Sequence, residues 1–181
     1  MEEIRNQGFI IVLFGGKFSV GKSSIAQKYC GVEYKLAYYH NHIKKCSLNL
    51  EITQIDSLGE EINGVFFFQS YCKFLSKGGC LILVYDITDR GSFEEMIEYY
   101  FESTKIKERK FTYLILGNKL DLFDNRQVSF SEGKSFADSY GILFFEVSSL
   151  YKQNIYEAYN QLIEESIQRI AFFETYSYKK E

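Results

Sequence analysis

The sequence predicts an α/β domain built on a largely parallel sheet, and three observations carry that reading. Short apolar runs alternate with amphipathic stretches from end to end, the rhythm of strands joined by helices. The apolar run GFIIVLF leads straight into the glycine-rich GKFSVGKS and then the helical SIAQKY. A second such run, FTYLILG, leads into the polar tetrad NKLD.

Taken in chain order, the buried-strand candidates are Gly8–Phe14, Cys80–Tyr85, Phe111–Leu116 and Ile142–Val147, each bounded by glycine or a polar cluster. Between the first two, LNLEITQI alternates apolar and polar residues. It pairs with YHNHIKKC as an antiparallel hairpin at the sheet edge, with Ser47 and Asn49 near the turn. Phe93, Met96, Ile97, Tyr100 and Phe101 repeat at helical spacing and form one apolar stripe. Ser131 and Glu132 open a further helix through Lys134–Tyr140, and Asn154 caps the last one. That last helix carries the stripe Ile155, Tyr159, Leu162, Ile163, Ser166 and Ile170. No repeat, linker or low-complexity segment interrupts the pattern, so the expectation is one domain over residues 1–181.

Composition narrows the function classes. Hydrophobic residues make up 46% and charged residues 25%, a soluble globular balance. A net charge of −3 offers no basic field for nucleic acid or an anionic membrane. Cys30, Cys46, Cys72 and Cys80 form no CxxC pair and read as reduced thiols of a cytoplasmic protein. The tail ETYSYKKE holds no cysteine for prenylation, and Lys179-Lys180 is too short for a basic membrane-binding segment.

The chemistry sits in two loops. Gly16 to Ser23 is G-x-x-x-x-G-K-[ST] between a strand and a helix, the context that phosphate binding requires. Its glycines let backbone N–H groups turn toward phosphate oxygens, and the helix N-terminus adds its dipole. Gly16, Ser19, Val20, Gly21, Lys22, Ser23 and Ser24 are the candidate contacts. Lys22 reaches the terminal phosphates, and the Ser23 hydroxyl suits Mg²⁺, a hard cation that favours oxygen. In NKLD, the Asp121 carboxylate accepts from guanine N1–H and the 2-amino group, donors that adenine lacks. Asn118 bridges this loop to the phosphate loop, and the Lys119 stem covers the sugar face.

With these two motifs and DSLGE (Asp56–Glu60 contains the family's DxxG), the chain resembles the Ras superfamily over nearly its whole length. Within it, VYDITDRGSFEE is similar to the branch of the Ras-related estrogen-regulated growth inhibitor, whose members also tend to lack a prenylation cysteine. The resemblance implies a P-loop NTPase (Ras-like) fold: a six-stranded, mostly parallel sheet with one antiparallel edge strand and about five helices. It also implies GTP/GDP and Mg²⁺ as ligands, and protein effectors or regulators at two switch segments, Tyr34–Lys45 and Glu60–Lys77. Carried over by position, Asp56 holds Mg²⁺ through water and the Gly59 N–H senses the γ-phosphate. Ser148, Ser149 and Leu150 stand where the family has S-A-K, a backbone amide there reading guanine O6, and Leu150 alters one wall of the pocket. Tyr34 stands where an aromatic packs against guanine.

The departures fall on hydrolysis. Ras orients the attacking water with a glutamine; here Glu60 stands instead, an acceptor that repels the γ-phosphate. Phe18 replaces a glycine and crowds any arginine supplied by a partner, while Lys17 beside it points to solvent or contacts a phosphate. No threonine lies between Ser24 and Thr53 to sense the γ-phosphate from the first switch, and Ser47 is too near the following strand. The catalytic set is then Lys22, Gly59 and Glu60, and the expectation is a monomeric GTP/GDP-binding switch with slow hydrolysis. The alternative is a pseudo-GTPase that binds nucleotide structurally and serves as an interaction module. His40, His42 and Cys46 lack a fourth metal ligand and read as a solvated edge-strand group. The Phe66–Phe68 run fits an exposed partner surface and, equally, a patch packed under the sheet.

Overall fold

The structure, a computed structural model, describes residues 9–15, 19–30, 36–41, 46–56, 79–105 and 111–177. Its strands are β1 (Phe9–Gly15), β2 (Leu36–Asn41), β3 (Cys46–Asp56), β4 (Gly79–Asp86), β5 (Phe111–Asn118) and β6 (Leu143–Glu146). They form one sheet in the order β2-β3-β1-β4-β5-β6. Only the β2–β3 pair is antiparallel; β3, β1, β4, β5 and β6 run parallel. The expected mostly parallel sheet with one antiparallel edge strand is therefore what the chain builds. The helices are α1 (Lys22–Cys30), α2 (Arg90–Thr104), α3 (Phe130–Ser139) and α4 (Ile155–Ser177), with a 3-10 helix at Leu120–Asn125. Among the described residues, no helix is long and apolar enough to cross a membrane.

β4 shows how the layers arise. All eight of its residues are buried, and successive side chains point to opposite faces. Cys80, Ile82 and Val84 enter the cluster with Ile25 of α1 and Ala158, Leu162 and Ile163 of α4. Leu81, Leu83 and Tyr85 enter the opposite cluster with Phe93 and Met96 of α2 and Ala137 of α3. A sheet covered on both faces needs near-continuous apolar strands, and GCLILVYD is one. α3 approaches closely because Gly133 lacks a side chain. A Cβ there would stand 2.6 Å from the Tyr85 hydroxyl and 2.7 Å from Phe144 Cζ.

Several local expectations are corrected. β5 runs past Leu116 to Asn118, because its last residues stay in register with Tyr85 and Asp86. β6 is shorter than Ile142–Val147, since only Leu143–Glu146 pairs with β5. The cap of α3 is Ser129, not Ser131. Ser129 Oγ accepts from the Glu132 N–H while the Glu132 carboxylate accepts from the Ser129 N–H, a reciprocal box that Ser131 sits too late to make. Asn154 precedes α4, but its Nδ2 donates to the Glu146 carbonyl at 2.8 Å, tying the helix entry to β6. Phe101 leaves the expected stripe: it is 43% exposed and meets Tyr140 edge-on. The hairpin forms as expected, with Leu36–Asn41 as its first strand; Ser47 pairs with His40 next to the closing Asn41–Cys46 pair, and Asn49 pairs with Tyr38.

Candidate functional site

Parallel strands place their carboxyl ends along one edge, where ligands of open α/β sheets bind. Register aligns the candidate residues there. Gly15 at the end of β1 lies opposite Asp56 on one side and Val84 on the other. Asp86 lies opposite Asn118, and Gly117 opposite Glu146.

The described phosphate-loop candidates, from Ser19 to Ser24, run into the start of α1. Ser19 has φ +101° and Gly21 φ +90°, both in the left-handed region. At Gly21 only glycine fits, because a Cβ would come within 2.2 Å of Asn118 Nδ2. Ser19 holds its conformation without that freedom, a strain typical of ligand-clamping loops. α1 then begins, with Ile25 N–H donating to the Gly21 carbonyl at 3.0 Å. No acidic residue occupies its first turn, so nothing there offsets the partial positive charge of its N-terminus. Lys22 is buried, its Nζ donating to the Gly15 carbonyl at 3.4 Å, while Ser23 and Ser24 are exposed.

The second loop is wired to the first by the buried side chain of Asn118. Asn118 Nδ2 donates to the Val20 carbonyl at 2.8 Å and to Ser149 Oγ at 3.3 Å. Its Oδ1 accepts from the Ser149 N–H at 3.1 Å. Asp121 is aimed by Ser148, whose hydroxyl donates to Oδ1 at 2.5 Å. The Leu120 N–H donates to the Val147 carbonyl at 3.0 Å, which fastens the loop after β5 to the end of β6. Lys119 has φ +66°, and its ammonium pairs with Asp86 Oδ2 at 2.5 Å. Leu150 is 61% exposed at the rim.

Gly16, Lys17, Phe18, Tyr34, Gly59, Glu60 and His42 lie outside the described residues, as do the Phe66–Phe68 run, Lys179 and Lys180. So does all of Glu60–Lys77. Of Tyr34–Lys45, the described part is β2. For Asp56 the backbone is described: it ends β3 beside Gly15. Ser23 lies in the first turn of α1, and serine and aspartate are residue types whose oxygens suit a hard divalent cation.

Two contributors went unread in the sequence. Asp86 anchors Lys119, and its signal was an acidic residue closing an otherwise apolar strand, VYD. Arg126 grips Glu146 through two nitrogens, at 2.5 and 2.8 Å, immediately before Val147 and Ser148. No local pattern marks that pair.

Comparison with known proteins agrees with this geometry. The sequence profile of the Ras family matches residues 10–168. The chain is similar to the Ras-like protein rasU of Dictyostelium discoideum, 30% identical over 162 residues that cover 85% of this chain and 74% of the relative. It is similar to the Ras-related protein Rab-17 of Homo sapiens, 31% identical over 170 residues, 89% of this chain and 77% of the relative. To the Ras-related protein R-Ras of Homo sapiens it is 31% identical over 162 residues, 85% and 72% respectively.

Proposed function

This chain belongs to the Ras family of small GTPases, which are GTP-binding signalling switches, and from that premise we propose that it binds GTP and GDP with Mg²⁺ and hydrolyses GTP slowly. The observation that carries the proposal is Asn118, which ties the base-binding loop to Val20 of the phosphate loop at 2.8 Å. That bond joins the two loops that would hold the two ends of a nucleotide, and a fixed separation between them lowers the ordering cost of binding.

Asp121, steadied by Ser148, is the guanine selector: its second oxygen remains to accept from the base. The Ser148–Ser149–Leu150 turn borders the base, Lys119 covers the sugar, and Tyr34 packs against guanine. Gly16, Ser19, Val20, Gly21, Lys22 and Ser24 surround the phosphates. Ser23 and Asp56 would hold Mg²⁺, which would supply positive charge against the phosphate oxygens. Lys22 and the loop N–H groups stabilise the charge that develops on the transferred phosphoryl group. Gly59 responds to the γ-phosphate, but Glu60 cannot donate to it and repels it, so hydrolysis is slow. Effectors or regulators engage the monomeric, cytoplasmic protein through Tyr34–Lys45 and Glu60–Lys77.

A second reading, a pseudo-GTPase that binds nucleotide structurally and acts as an interaction module, is favoured by one observation. No threonine lies between Ser24 and Thr53, and Ser47 belongs to β3, paired with His40. One experiment separates the two. The purified protein is denatured, its nucleotide is identified by chromatography, and release of phosphate from reloaded GTP is followed. GTP carried through purification with slow turnover supports the proposal. Nucleotide with no turnover supports the module, and adenine nucleotide in the pocket defeats both.

A further inference from the structure

Three charged side chains are buried among the described residues: Lys22, Asp86 and Glu146. Lys22 belongs to the phosphate loop, and Glu146 is satisfied by Arg126. Asp86 is the one whose position calls for a purpose. It closes β4, where every other residue is uncharged, and it is 5% exposed. A carboxylate in such a place is strongly disfavoured unless its oxygens are fully engaged.

They are engaged, and in one direction. Oδ1 accepts from the Thr88 N–H at 2.9 Å and from the Thr88 hydroxyl at 2.7 Å, which fixes the carboxylate plane within a local turn. Oδ2 is left to face Lys119 Nζ at 2.5 Å. The main chains are fastened alongside: Ile87 N–H donates to the Asn118 carbonyl at 3.1 Å, and Asp86 N–H donates to Ser92 Oγ at 2.9 Å. Lys119, at φ +66°, is held in a backbone region that a lysine seldom adopts. It stands between Asn118, which holds the phosphate loop, and Asp121, which faces the base.

We propose that Asp86 is a positioning residue for guanine recognition: by pinning the Lys119 ammonium it holds the left-handed bend that aims Asn118 and Asp121. The inference rests on the nucleotide-binding reading above. Thr88 belongs to the device, because it orients the carboxylate. The pair also consumes the lysine's charge, so Lys119 contributes its stem and its backbone bend to the pocket rather than a free cation.

The test follows release of a fluorescent GDP from the full chain, with the urea midpoint recorded for each variant. Asp86→Asn keeps an acceptor for Thr88 but removes the charged contact, and release quickens about tenfold, the loss expected for one charge-assisted bond. Lys119→Met quickens release comparably. Joined, the two substitutions release GDP no faster than Lys119→Met alone, because both remove one interaction. The discriminating readout is selectivity. Inosine diphosphate lacks the 2-amino donor to Asp121, so a misaimed Asp121 costs GDP more than inosine diphosphate, and the ratio of their release rates moves toward one. A merely destabilised fold speeds both releases equally. Thr88→Val, which removes one bond to Oδ1, gives the same change of ratio on a smaller scale should Asp86→Asn fail to fold. The proposal is overturned if release from Asp86→Asn matches the unaltered protein, if the two substitutions multiply, or if the ratio stays fixed. Failure of the unaltered protein to retain GDP overturns the nucleotide-binding reading and this inference together.

Discussion

Replacing Asn118 with Asp exchanges one heavy atom, the amide nitrogen for an oxygen, and leaves the shape intact. Asn118→Asp keeps the oxygen that accepts from the Ser149 N–H at 3.1 Å. It turns the donor facing the Val20 carbonyl at 2.8 Å and Ser149 Oγ at 3.3 Å into a second oxygen. Val20 then loses its donor in a fully buried position, a cost of about 1 to 3 kcal/mol. A carboxylate at 0% exposure facing a carbonyl adds to this, for about 3 to 5 kcal/mol in all. The variant relieves itself by taking up a proton, since a carboxylic acid regains a donor for Val20. Burial and the facing oxygens therefore raise the introduced group's folded-state pKa above its usual ~3.9. A raised folded pKa means that stability is greatest at low pH and is lost as pH rises through it. Urea unfolding followed by circular dichroism at pH 5 and pH 8 shows a larger deficit at pH 8. Asn118→Ala, which titrates nothing, shows a deficit of about 2 to 3 kcal/mol at both. A deficit for Asn118→Asp that is below about 1 kcal/mol, or identical at the two pH values, refutes the wiring described here.

Two other perturbations test the scaffold around the site. Arg126→Met strands Glu146, whose side chain is 6% exposed, and lowers stability by about 3 to 5 kcal/mol; adding Glu146→Gln recovers much of this, as read by urea midpoints at pH 7. At the cap of α3, the hydrogen bond from the Arg90 guanidinium, with those from Ser129, pulls the Glu132 carboxyl from its ordinary 4.5 down to about 2. A depressed pKa gives stability that is present above 4.5 and lost as pH falls toward 2, so the urea midpoint of Glu132→Gln falls less steeply across that window than that of the unaltered protein.

How much of this was legible in one dimension depends on the range of each interaction. The parallel sheet, the edge hairpin, the phosphate loop and NKLD were written as contiguous patterns. Apolar run length, glycine placement and a lysine-serine pair act on neighbours a few residues away, so adjacent letters report them. The cap of α3 was misplaced by two residues because Ser129 and Ser131 carry the same chemistry. The reciprocal geometry with Glu132 decides between them. Phe101 kept helical spacing yet stands 43% exposed, since periodicity defines a stripe but not how wide a neighbouring helix covers it. Candidate residues such as Asn118, Lys119 and Asp121 were named from the sequence, Asp86 and Arg126 were not, and the way they meet was decided in three dimensions. Asn118 meets Val20 across 98 positions, Asp121 meets Ser148 across 27, and Lys119 finds Asp86 on another strand. Those partners are chosen by strand register, which aligns Asp86 with Asn118 and Gly117 with Glu146. Register is set by the summed packing of two sheet faces, and no single stretch of sequence contains that sum.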